Sequence, residues 1–189
     1  MIEKEDWFTI PNILSYIRIL MIPLYIYLYV TAEELTEYYW AAGVLVLSAI
    51  TDSLDGIIAR KTGQITDLGK VIDPFADKLT QVAVIGAMFV ERPYILPLLI
   101  LFLVKELFLL VNNLVLYRKE IKMDGSMWFG KVATAVFYVC MFLLVIFPTL
   151  DQSGSMPLII MTAAFQVIAL LGYGNWYIKM FKRVLKRDN

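Results

Sequence analysis

The sequence contains no histidine and a single cysteine. Without imidazole, the commonest metal ligand and the usual neutral-pH acid–base catalyst are both excluded. One thiol cannot build a disulfide framework or a thiolate metal site. Cys140, inside the apolar run FYVCMFLLV, therefore reads as a small packing residue. Net charge is also missing, since 17 Lys and Arg balance 17 Asp and Glu, and no nucleic-acid partner is expected. There is no internal repeat or low-complexity tract. The opening MIEKEDWFTIPN is acidic and amphipathic, with no basic n-region leading into a cleavable core. It does not read as a signal peptide, so the first apolar helix is expected to stay in the mature protein.

What is abundant is apolar sequence: 60% of residues are hydrophobic, against about 45–50% in soluble domains, and mean hydropathy is +0.70. The excess lies in blocks of roughly 20 residues, each sufficient for a ~30 Å hydrocarbon layer. The sequence thus predicts an all-α integral membrane protein, a single membrane domain over residues 1–189, with six transmembrane helices. They are expected over about 12–30, 38–60, 69–90, 94–117, 128–147 and from about 158 into a basic tail. Residues 1–10 form a short interfacial segment with Trp7, Phe8 and Ile10 in the interface plane, and Pro11 suits a helical first turn. PTLDQSGSMP, at 148–157, reads as a polar loop, and Trp40, Trp128 and Trp176 read as interface anchors.

Lysine and arginine set the orientation. With the N-terminus inside, the cytoplasmic ends carry Lys4, Arg60, Lys61, Lys70, Arg118, Lys119, Lys122, Lys179, Lys182, Arg183, Lys186 and Arg187, and the opposite side only Arg92. The positive-inside rule then places both termini on the cytoplasmic side of the cell membrane.

The stretch 51–78, TDSLDGIIARKTGQITDLGKVIDPFADK, falls on that same side. Its five aspartates sit at the ends of apolar helices, where carboxylates are costly unless neutralised and so read as a functional site. Asp52 and Asp55 are three apart on one helical face, and Gly69, Asp73 and Asp77 step by four along another. Two helices joined by KTGQIT would bring four carboxylates together. Hard oxygen donors at this density suit Mg²⁺ or Mn²⁺, and two ions could share a bridging carboxylate. Gly56 and Gly69 remove side chains where a ligand or helix approaches, and Arg60 offers a planar fork for phosphate oxygens. Intramembrane carboxylates by themselves leave a divalent metal transporter and a catalyst both open. Metal, phosphate and a lipid-facing position together point to phosphoryl transfer. Elsewhere Arg18 must face protein or snorkel, and Lys105–Glu106 stand as a charged pair in the fourth span.

Asp52-x-x-Asp55-Gly56-x-x-Ala59-Arg60, eight residues to Gly69, then Asp73 and Asp77, resembles the signature of the CDP-alcohol phosphotransferases. The likeness extends to the six-helix layout and to Pro11-Asn12 with Arg18. It implies that Asp52, Asp55 and Asp73 are metal ligands, with Asp77 touching a second ion and serving as the base for the acceptor hydroxyl. Asn12, Gly56, Ala59, Arg60, Thr66 and Gly69 match positions around the CDP part of the donor. Asp67 is outside the signature and reads as a loop or capping residue. The implied reaction is direct displacement: an alcohol attacks the β-phosphorus of a CDP-linked lipid and CMP leaves. A homodimer among membrane lipids is implied as well.

CDP-diacylglycerol is the donor this resemblance implies. PNILSYIRILMIPLYIYL and GKVATA look like the phosphatidylglycerophosphate synthases of the family, whose acceptor is glycerol 3-phosphate. Lys131, Arg118 and Lys105 are then the candidates for its phosphate. KELFLLVNNLVLYRK followed by GKVATA also resembles the family's cardiolipin synthases, whose acceptor is phosphatidylglycerol.

Overall fold

The computed structural model describes residues 7–63, 66, 68–118 and 127–185, without the side chains of Ser53, Arg60, Lys70, Tyr117, Arg183, Val184 and Leu185. The described residues are all-helical, in the order α1 (Ile10–Val30), α2 (Leu35–Thr62), α3 (Gly69–Glu91), a 3-10 turn (Pro93–Ile95), α4 (Leu96–Arg118), α5 (Trp128–Ile146) and α6 (Gln152–Leu185). Trp7 and Phe8 precede α1 in a short 3-10 stretch and are solvent- or lipid-facing. The expected interfacial helix otherwise falls on residues 1–6, outside the described ones, as do Lys4, Asp67, Lys119, Lys122, Lys186 and Arg187.

Local chemistry explains the helix ends. Pro11 occupies the first turn of α1, where its missing N–H leaves no bond unmade. Glu34 and Glu37 form a reciprocal capping box at the start of α2, and Gly63 closes it at φ 70°, a left-handed conformation that glycine adopts without Cβ strain. Ahead of α6, the Asp151 carboxylate accepts from Gly154 N at 2.8 Å and from Ser153 Oγ at 2.7 Å. Those bonds hold its carboxyl below the usual carboxylate range. This cap corrects the sequence reading of 148–157. Residues from Gln152 onward belong to α6 rather than to a loop, with Pro157 inside the helix.

Among the described residues, five segments are long and apolar enough to cross a membrane: Ile10–Val30, Leu35–Ala59, Pro93–Leu116, Trp128–Ile146 and Gln152–Lys182. The 23-residue α3 is not among them; it carries Lys70, Asp73, Asp77 and Lys78.

The chain divides into two compact units, Met1–Ile95 with Met141–Leu150, and Leu96–Cys140 with Asp151–Asn189. In the first, α1 packs closely on both α2 and α3. Ala41, Ala42, Ala76 and Ala87 are buried there, small residues that let membrane helices approach. At the end of α3, Glu91 accepts from Tyr29 (3.0 Å) and Tyr38 (2.7 Å). Arg92, 4% exposed, donates to the carbonyls of Leu144 (2.9 Å), Phe147 (3.3 Å) and Pro148 (2.9 Å). It thereby supplies partners for carbonyls at and beyond the end of α5 that have none within the helix.

In the second unit α4 packs with α6 around Leu116, Tyr173 and Tyr177, and Trp176 packs on that cluster. Trp40 and Trp128 remain more than two-thirds exposed, as anchors would be. Trp176 instead contributes to packing, its ring 5.1 Å from that of Tyr177. Cys140 is fully buried, in keeping with a packing role.

Candidate active site

Asn12, Ser15 and Arg18 step by three along the apolar α1 and are all buried. Side chains at that spacing share a face, and in a membrane helix a polar face needs polar partners. Each of the three meets a different part of 51–78. Asn12 Nδ2 donates to Thr66 Oγ1 at 3.1 Å, and the same hydroxyl accepts from Gly69 N at 2.9 Å, tying the start of α3 to the start of α1. Ser15 Oγ donates to Asp73. The Arg18 guanidinium, 0% exposed, contacts Asp52 at 2.7 Å and also pairs with Asp55. Arg18 is thus a partner of the α2 acids, which answers the question the sequence raised about where its charge goes. Breaking such a buried pair by removing one member costs on the order of 3–5 kcal/mol.

The α2 and α3 acids occupy one electrostatic site, since the charges of Asp73 and Asp77 act on Asp52, and those of Asp73 and Asp52 on Asp55. Asp77 has Lys78 Nζ at 3.0 Å from one oxygen and accepts from Gln81 Nε2 at 3.1 Å on the other. The structure therefore brings together Asn12, Thr66, Gly69, Asp52, Asp55, Asp73 and Asp77. Gly56 and Ala59 are half-buried in α2. The side chain of Arg60 and the whole of Asp67 lie outside the described residues.

Gly69 is required by contact, because a Cβ there would stand 2.6 Å from Asn12 Oδ1 and 3.1 Å from Thr66 Oγ1. Ser15 and Gln81 were not singled out in the sequence, although both carried a signal. Ser15 fills the three-residue step between Asn12 and Arg18, and Gln81 extends the Gly69–Asp73–Asp77 series by one more step of four.

As a donor set the four carboxylates have the chemistry of a hard divalent cation site. No three acids among the described residues gather at one ion-sized point.

The acceptor candidates belong to the second unit. Lys105 is buried, its ammonium 2.7 Å from Gln166 Oε1 and 2.6 Å from Glu106, so the charged pair read from the sequence is present and gains a third member. Arg118, at the end of α4, and Lys131, in the first turn of α5, are exposed. Beside Lys131, Gly130 packs against the Tyr173 ring.

Residues 8–173 match the model of the CDP-alcohol phosphatidyltransferase family. The chain belongs to that family, and is a membrane transferase of phospholipid synthesis. It is 31% identical to "Cardiolipin synthase (CMP-forming)" of Streptomyces coelicolor over 197 aligned residues, covering 99% of this chain and 89% of that protein. It is 29% identical to "CDP-diacylglycerol--glycerol-3-phosphate 3-phosphatidyltransferase" of Aquifex aeolicus over 185 residues, 94% of this chain and 99% of that one. A Rickettsia typhi protein with the latter name is 44% identical over 71 residues, 38% of this chain and 39% of its own.

Proposed function

We propose that this enzyme transfers the phosphatidyl group of CDP-diacylglycerol to glycerol 3-phosphate, releasing CMP and forming phosphatidylglycerophosphate. The observation that carries the reading is the α1 polar face joined to both helices of the acid motif and to three of its four acids, through Asn12–Thr66–Gly69, Ser15–Asp73 and Arg18–Asp52–Asp55. The Aquifex relative, collinear over nearly the whole chain, supports this acceptor. The Streptomyces relative favours a second reading, in which phosphatidylglycerol is the acceptor and cardiolipin the product.

Asp52, Asp55, Asp73 and Asp77 would hold Mg²⁺ or Mn²⁺, two ions in all, which would supply neutralisation of the diphosphate and of the departing phosphate. Asn12, Gly56, Ala59, Arg60, Thr66 and Gly69 take the CDP moiety. Asp77 accepts the proton of the acceptor hydroxyl, whose oxygen bonds to the β-phosphorus as the bond from that phosphorus to CMP breaks. Lys131, Arg118 and Lys105 are assigned to the acceptor phosphate. The chain works as one membrane domain over residues 1–189, with α3 as a sixth span and the opening residues as an interfacial helix. It sits as a homodimer in the cell membrane, with both termini and the acid site cytoplasmic.

The test is an acceptor screen on full-length protein with CDP-diacylglycerol and Mg²⁺ or Mn²⁺, reading CMP. Glycerol 3-phosphate is expected to release it. Release with phosphatidylglycerol alone selects the second reading, and Mn²⁺ flux in proteoliposomes without CMP from any acceptor would favour a metal transporter. Asp77→Asn is expected to abolish turnover with donor binding retained; an active variant removes Asp77 from the role of base.

A further inference from the structure

We infer that Arg18 is a positioning residue of this site: its guanidinium holds the Asp52 and Asp55 carboxylates in the register from which they serve a divalent ion. The inference rests on the metal-dependent reading above. Arg18 is 0% exposed, yet its Nε has no hydrogen-bond acceptor among the described residues, and its Nη1, although 2.7 Å from Asp52, is not aligned for a hydrogen bond. A guanidinium placed only to stabilise the fold would be expected to have its donors paired, because unpaired buried donors are costly. This one instead lies across two acids, Nη1 at Asp52 and Nη2 at Asp55.

Those acids are three residues apart on α2, so their side chains are neighbours on one face, with Cβ atoms about 5–6 Å apart. A planar fork spans two such groups, with Nη1 at Asp52 and Nη2 at Asp55. An ammonium, a point charge on a flexible stem, does not fix two carboxylates in one geometry. The closest approach to each acid is through a single oxygen, Oδ1 of Asp52 and Oδ2 of Asp55. One turn earlier on the same face of α1, Ser15 bonds Asp73 of α3. A single helix face therefore orients three of the four acids, two through Arg18. Asp52 is itself 39% exposed and Asp55 5%, so the pair bridges an accessible ligand and a buried one.

Arg18→Lys separates orientation from charge, because it keeps the cation at the same helical position and removes the fork. The measurements are Mn²⁺ binding to detergent-solubilised full-length protein, read by the electron paramagnetic resonance of unbound Mn²⁺, thermal unfolding without metal, and kcat and KM for CMP release. R18K is expected to fold, to bind Mn²⁺ about tenfold more weakly, and to lose about tenfold in kcat with KM for CDP-diacylglycerol within about twofold. An R18K protein with wild-type Mn²⁺ affinity and kcat overturns the inference, since charge would then suffice. An R18K protein that does not fold overturns it as well, since the residue would be serving the fold. Failure of the proposed function looks different: wild-type protein would release no CMP with any acceptor or bind no Mn²⁺, independent of residue 18.

Discussion

Replacing Gly69 by alanine perturbs the junction where α1 meets the start of α3 and adds only one methyl group. Built on the existing backbone, that methyl carbon lies 2.6 Å from Asn12 Oδ1. Ordinary contact begins near 3.4 Å, so about 0.8 Å (3.4 − 2.6) must come from movement of Asn12 or of the helix. Asn12 is 1% exposed and is held by its own bond to Thr66, so it cannot swing into solvent. Moving it gives up that bond and leaves a buried amide poorly paired, a cost of about 1–3 kcal/mol. The intrinsic gain of alanine over glycine in a helix, about 0.5–1 kcal/mol, offsets part of this. A net loss of about 1–2 kcal/mol corresponds to a Tm drop of roughly 2–8 °C for a chain of this size. If α3 shifts instead, Asp73 and Asp77 move with it, and misplacement approaching 1 Å can cost on the order of a hundredfold in rate. The assay is thermal unfolding followed by tryptophan fluorescence, together with CMP release, on G69A, N12S and the double variant. Shortening residue 12 makes room for the methyl group, so the double variant should be less impaired than the two single losses added together. Wild-type Tm and kcat in G69A, or strict additivity in the cycle, would refute the steric argument.

Two further outcomes follow from the fold. Arg92→Met removes a donor from three backbone carbonyls around the end of α5, of which that of Phe147 keeps its bond from Leu150 N. With charged donors contributing about 1.5–3 kcal/mol each and not additively, a loss of about 2–4 kcal/mol is expected in chemical or thermal unfolding, with kcat of the remaining folded protein within about twofold of wild type. Lys131→Met, at an exposed position in α5, is expected to raise KM for glycerol 3-phosphate about tenfold without changing KM for CDP-diacylglycerol. Unchanged acceptor KM would take Lys131 out of the acceptor site.

Much of the site was legible because its chemistry is local. Asp52–Asp55 and Gly69–Asp73–Asp77 are spaced for helix faces, and carboxylates in apolar helices identify themselves by their desolvation cost. The partners of those acids were not legible in the same way. Ser15 and Gln81 are residue types that a membrane helix tolerates in many settings. The start of α6 is hidden in the sequence for a related reason: Ser153, Gly154 and Pro157 carry loop propensities, and the Asp151 cap that starts the helix is a bond, not a composition. Trp176 had the amphipathic character of an interface anchor, and it became a packing residue only because α4 and α6 place Leu116 and Tyr177 beside it.

By itself, then, the sequence determined the helical membrane class, the acid motif and its family, because hydropathy and i, i+3, i+4 spacing are properties of single segments. Only the tertiary structure decided that α1 is the helix that ties the motif together. Asn12, Ser15 and Arg18 meet residues 37 to 58 positions away, and no periodicity within a helix encodes which distant acid a buried serine or arginine will face.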